Sequence, residues 1–144
     1  MTHRLLYSMI DSKFPVSASI QHKITAGFAS ELGCKVGFYG AEDSEFSDGS
    51  PYLEEKLPSL PTKYDGVIFF SLFQLSADSI LSTIRAILDK ELEVYFACQR
   101  IRISNYVDFE QDKIRLLAAT TAATAQTQLK YVVHWKSEFG TSLP

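Results

Sequence analysis

Four polar groups along this 144-residue chain each follow an apolar run, and their types suggest hydrogen bonding to a ligand more readily than a named reaction. Asp11, Ser12 and Lys13 follow the first run, Tyr39 and Glu42 the second, Ser71 and Gln74 the third, Gln99 and Arg100 the fourth. Hydroxyls, amides and a cation or two suit a polyhydroxylated ligand carrying one anionic group. Ser12 beside Lys13 is the candidate catalytic pair, a hydroxyl with an amine to take its proton. Neighbours in an extended loop usually point apart, however, and the ordinary role of such a serine is a loop hydrogen bond or a helix cap. Tyr39, Ser71, Gln74, Gln99 and Arg100 are the candidate substrate-binding residues. Cys98, at the end of an apolar run, would be a nucleophile only if Arg100 or a helix terminus lowered its pKa.

Metal and cofactor chemistry finds no pattern to rest on. His3, His22 and His134 fall on separate elements without ligand spacing, and the two cysteines, Cys34 and Cys98, form neither a CxxC pair nor a disulfide framework. Both thiols are expected as small buried apolar groups. GxGxxG, the Walker loop, HExxH and GxSxG are all absent, so no cofactor is expected. A net charge of −3 and a pI near 5.6 argue against a nucleic-acid partner, which would require clustered Lys and Arg. The apolar run at Leu5-Leu6-Tyr7 ends at Asp11 and Lys13, too soon for a membrane span or a signal core; a cytoplasmic protein is expected.

The elements that must position these groups follow from period. Arg4 to Ile10 is apolar and reads as a buried first strand; Pro15 delays the helix that follows. Ile20, Ile24, Phe28 and Leu32 recur every four residues and predict an amphipathic helix with that face inward, closed by Gly33. Gln21, just off the face, reads as solvated. Cys34 to Tyr39 reads as a second strand, and 40–62 as a long loop carrying one short helix on Leu53, Leu57 and Leu60, with Glu54 and Glu55 exposed. Val67 to Phe70 predicts a central strand covered on both faces, and Leu92 to Ala97 another. Between them Ser76 caps a helix facing inward with Ile80, Leu81, Ile84, Ile87 and Leu88. Asp108 and Gln111 resemble a capping box and open a long C-terminal helix over 108–135. Its face of Ile114, Leu117, Ala118, Ala122, Ala125, Leu129 and Val132 suits either a homodimer contact or the chain's own sheet. One α/β domain over 1–144 is expected, three-layered, with a short, mostly parallel four-stranded sheet. Ligands of such sheets lie beyond the carboxyl ends of the strands, where the four polar groups gather.

The run from Asp65 through Val67, Phe70, Ser71, Leu72, Phe73, Gln74 and Leu75 to Ser76 resembles the bacterial sporadic carbohydrate cluster protein family, small proteins encoded among surface-polysaccharide biosynthesis genes. Pro15 followed by Gln21, Leu53-Glu54 and Val94 to Ala97 fall in the family's order, so the likeness covers approximately residues 5 to 103. Ser76 stands where proline is expected, His22 where asparagine is, and Gln99 where a glutamate is; the last removes an acid or base if that position is catalytic. The resemblance implies a protein of surface-carbohydrate biosynthesis, an enzyme or an accessory factor, with a sugar or nucleotide-sugar ligand.

More distantly, the chain is similar to the catalytic domain of resolvase-type serine recombinases, through the polar loop after the first strand, the Gln-bearing helix, Pro51-x-Leu53, the Leu72-x-x-Leu75 turn and the long last helix. That likeness implies a resolvase-like fold, with the last helix as a dimer contact, and not the activity. Met9 falls at the family's first Arg, Asp11 or Ser12 at its nucleophile, and Phe73, Gln74 and Ala77 near its Asp and two Arg. Without those cations a phosphoryl transition state would lack charge stabilisation. The alternative reading is therefore a noncatalytic recombinase-like interaction module.

Overall fold

The computed structural model describes residues 4–11, 14–42, 51–76 and 79–119, without the side chains of 38–42 and 51–52. The first apolar run becomes β1 (Arg4–Asp11), in which every residue from Leu6 onward is buried. Burial without alternation is what a strand covered on both faces requires. β2 (Cys34–Glu42) and β3 (Gly66–Phe69) pair with it in parallel, and β4 (Glu93–Phe96) pairs in parallel with β3. β5 (Ile101–Ile103) closes the edge antiparallel to β4. The order β2-β1-β3-β4-β5 places the switch point between β1 and β3.

The sheet thus has five strands where four are expected. β5 is only three residues long, and the turn before it carries no glycine: Arg100 adopts the left-handed conformation instead, at φ 56°. A turn built on arginine gives no turn signal in sequence.

Helices cover both faces, α1 (Ala18–Glu31) on one and α2 (Pro51–Lys56), α3 (Ile80–Asp89) and α4 (106–119) on the other. The period of two sorts the strands: Tyr7, Met9, Val67, Phe69, Val94 and Phe96 face the larger core, while Leu6, Ile68, Tyr95 and Ala97 face α1. The α3 face is as expected, with Ile80, Ile84, Ile87 and Leu88 buried, and Leu53, Leu57 and Leu60 join the same core. Phe109 and Leu116 of α4 are buried there too, so this helix packs on its own sheet along one side.

α1 is rotated from its expected setting. Gln21, Thr25, Phe28 and Ala29 point inward, and Ile20, Ile24 and Leu32 lie 49%, 41% and 40% exposed. Polar inward residues are tolerated because each is satisfied: Gln21 bonds three backbone groups near the end of β1, and Thr25 Oγ1 donates to the carbonyls of Gln21 and His22 within the helix. Small Ala29 then allows the helix to approach the sheet.

Three smaller corrections concern termini and one thiol. α4 begins two residues earlier than expected: Asn105 Oδ1 caps the Asp108 amide at 2.9 Å while Asp108 Oδ2 accepts from Ser104 N at 3.0 Å. Its expected extension to 135, with Ala122, Ala125, Leu129 and Val132, lies outside the described residues. α3 begins at Ile80 with Ser79 as cap residue, and Ser76 contributes its carbonyl to the Ser79 and Ile80 amides. Cys34 is buried as expected, but Cys98 is exposed.

At the amino edge of the sheet Glu93 is a buried carboxylate shared between strands. Arg4 of β1 and Arg102 of β5 both reach it at 2.7 Å, and the Tyr95 hydroxyl donates to it at 2.8 Å. Gly66 is in register with Glu93, and a Cβ there would lie 2.8 Å from the Glu93 carbonyl oxygen. No helix among the described residues is long and apolar enough to cross a membrane.

Candidate functional site

At the carboxyl edge beside the switch point, Ser71 ends β3's extended run and caps a single 3-10 turn, Leu72–Gln74. Its hydroxyl accepts from the Phe73 amide at 3.1 Å, and the Gln74 side chain reaches back, its Oε1 accepting from Ser71 N at 2.9 Å. This reciprocal cap requires a hydroxyl and an amide three residues apart, which is why Ser71-Leu72-Phe73-Gln74 turns as it does. Gln74 Nε2 then donates across to the Met9 carbonyl of β1 at 3.2 Å, joining the two strands at the switch point.

Gln99 arrives from the turn after β4. Its Oε1 accepts from Leu72 N at 3.0 Å and its Nε2 donates to Ser71 Oγ at 3.1 Å. Ser71, Gln74 and Gln99 therefore form one hydrogen-bonded cluster, as the convergence of strand ends predicts. Ser71 is buried, Gln74 and Gln99 are half-buried, and the Phe73 ring between them in sequence is 42% exposed. Backbone partners fix both amide orientations, since a carbonyl must be met by NH2 and an amide N–H by oxygen.

The other candidates divide. Arg100 is not directed into the cluster: its guanidinium bonds Glu31 of α1 and lies 5.2 Å from the Phe28 ring centroid, and the Glu31 hydrogen bond and charge raise its pKa further. Tyr39 pairs beside Ser8 and Glu42 beside Asp11 in the β1–β2 register, their side chains lying outside the description. Ser12, Lys13 and Ala77 lie outside the described residues, so the proposed catalytic pair has no described geometry. Asp11 is buried at the end of β1. Cys98 has its pKa pushed up by partial burial, opposite to what a nucleophilic thiolate needs.

Two residues matter more than their sequence positions suggest. Gln21, expected in solvent, is fully buried: its Oε1 accepts from Asp11 N at 3.0 Å and its Nε2 donates to the Asp11 and Val16 carbonyls at 2.9 and 2.8 Å. It clamps the loop between β1 and α1. Phe73, whose amide donates to Ser71 Oγ within the 3-10 turn, is an exposed aromatic residue, legible only once the turn is built. Among the described residues no group of His, Cys, Asp and Glu could hold a metal.

No family model matches the chain, and no curated protein matches it. Among solved structures it is similar to the N-terminal catalytic domain of TP901-1 integrase, with a TM-score of 0.61 and 15% identity over 89% of this chain and 100% of that one. The mixed α/β architecture with a mostly parallel five-stranded sheet is thus a resolvase-like fold, shared with that domain.

Proposed function

We propose that this chain is a resolvase-fold protein of bacterial surface-carbohydrate biosynthesis, working in the cytoplasm, that binds a sugar or nucleotide sugar at the carboxyl edge between β1 and β3. What supports this reading is the cluster of Ser71, Gln74 and Gln99 with the exposed Phe73 ring at the switch point. Hydroxyl, amides and an aromatic face are the groups that recognise a polyhydroxylated ring. The same positions argue against DNA strand exchange. Met9 is fully buried in the core and Phe73 and Gln74 are uncharged, so no guanidinium is supplied there for a phosphate.

Thermal unfolding against nucleotide sugars, free sugars and sugar acids tests the reading. A ligand at about a hundred times its dissociation constant adds roughly 2.7 kcal/mol and raises the midpoint by several degrees. A shift for a sugar-bearing ligand and none for the bare nucleotide is expected. A folded protein that responds to none of them contradicts the proposal.

One observation favours a second reading, a noncatalytic interaction module. On α4, Val107, Gln111, Ile114 and Ala118 form an exposed stripe opposite buried Phe109 and Leu116, with Val107 66% and Ile114 75% exposed. The spacing is that of a helix seam. Sedimentation equilibrium of the wild type and of Val107→Asp/Ile114→Asp separates the readings: a dimer that the charged pair dissociates supports the module.

A further inference from the structure

A groove lies between α2 and α3, on the face of the sheet away from α1. Leu53, Glu54 and Leu57 line it from α2 and the 3-10 run that continues it (Leu57–Thr62), and Ser82, Thr83 and Ala86 line it from α3. Residues three and four apart are neighbours on a helix surface, which sets Glu54 beside Leu57 on one wall and Ser82 and Thr83 beside Ala86 on the other. Leu53 and Leu57 are buried and, with Ala86, supply an apolar lining. The space is about 310 Å³, at the lower end for a ligand site, and suits a small group.

Two polar groups in this lining are unengaged. Thr83 is only 9% exposed, and among the described residues its hydroxyl makes no hydrogen bond; its amide alone is held, by the Ser79 carbonyl. A hydroxyl that deep is satisfied only by what enters the groove. Glu54 carries the one formal charge in the described lining and has no ion pair among the described residues. Lys56, two residues on, does not line the groove, since i and i+2 face apart on a helix. Ser82 donates its proton to the Ser79 carbonyl at 3.0 Å and presents lone pairs. The groove therefore offers a carboxylate, two hydroxyl oxygens and one O–H beside apolar carbon. Charge decides among the ligands that could bond to such a set. An anion is repelled by Glu54, a neutral alcohol gains hydrogen bonds alone, and an ammonium gains hydrogen bonds and charge attraction together. A primary ammonium also has three N–H donors, matching in number the oxygens of Glu54, Ser82 and Thr83.

We propose that the groove between α2 and α3 binds a primary ammonium on a short alkyl stem, the ammonium at Glu54, Ser82 and Thr83 and the stem along Leu53, Leu57 and Ala86. The site shares no residue with the carboxyl-edge cluster and stands independently of the carbohydrate reading. The experiment is an NMR titration of the full chain with n-butylammonium, 1-butanol and butyrate, read from the methyl signals of Leu53, Leu57 and Thr83, with Glu54→Gln and Thr83→Val alongside. Butylammonium should bind about fivefold more tightly than butanol, the measure of a partly exposed ion pair, with butyrate weakest. Added salt should shrink that preference. Glu54→Gln should erase it, and Thr83→Val should weaken butylammonium. Equal affinities for butylammonium and butanol, tightest binding of butyrate, or methyls that butylammonium leaves unmoved would overturn the proposal. So would a preference kept in Glu54→Gln or undiminished binding by a folded Thr83→Val. Glu54 is exposed, so its variant removes the charge without threatening the fold. A second titration, with Nα-acetyl-lysine methylamide, identifies the source of the ammonium: shifts of the same methyls admit a lysine side chain, and shifts with butylammonium alone leave a free amine.

Discussion

Gly66 and Gln21 carry no charge, yet the geometry makes both nearly irreplaceable. A Cβ at residue 66 would stand 2.8 Å from a backbone oxygen, which cannot swing away as a side-chain tip can. Gly66→Ala should lower stability by about 1–3 kcal/mol in urea unfolding. Gln21→Leu keeps the volume but strands the Asp11 amide and the Asp11 and Val16 carbonyls, with an expected loss of about 3 kcal/mol. Glu93 sets an acid dependence. Burial alone would push its pKa up, but hydrogen bonds from Ser104, Arg102 and Tyr95, with the Arg102 charge, outweigh burial and leave it below the usual value. Its contribution is complete above the unfolded glutamate pKa and is lost as pH falls through the depressed folded one. Stability measured from pH 6 downward should therefore fall less steeply in Glu93→Gln than in the wild type; parallel acid limbs would contradict the assignment.

The first helix shows how periodicity can name an element and misplace its face. Ile20, Ile24, Phe28 and Leu32 announce a helix correctly, but only Phe28 of the four is buried. Ile24→Gln should then leave stability within about 0.5 kcal/mol, whereas Phe28→Ala should cost about 3–5 kcal/mol. The opposite ranking in denaturant titrations would restore the periodic face. Branched aliphatics gave the stronger pattern, and the interaction that sets the rotation, Gln21 on the ends of β1, is long-range and cannot be seen locally. β1, β3, β4 and α3 were legible because continuous apolar runs and a clear 3.6 period have few alternatives. β5 was not, because its turn uses Arg100 in a glycine conformation. Of the candidate site, Ser71, Gln74 and Gln99 were brought together by the strand-end rule alone. Arg100 was lost to Glu31, a partner on another layer.

At the scale of the whole molecule, the chain shares its fold with the N-terminal catalytic domain of TP901-1 integrase, with the sheet order β2-β1-β3-β4-β5. Folds host unrelated functions, so the site and not the architecture has to carry the assignment. The outward stripe on α4 and the cluster at the carboxyl edge lie on different elements and are separable by mutation. The most direct measurement follows the side-chain NH2 resonances of Gln74 and Gln99 while the best-binding nucleotide sugar is titrated in. Binding at the switch point predicts that both pairs shift and saturate together, with the Phe73 ring signals moving alongside. Saturable binding that leaves the Gln74 and Gln99 amides unmoved would place the ligand elsewhere and contradict the central claim.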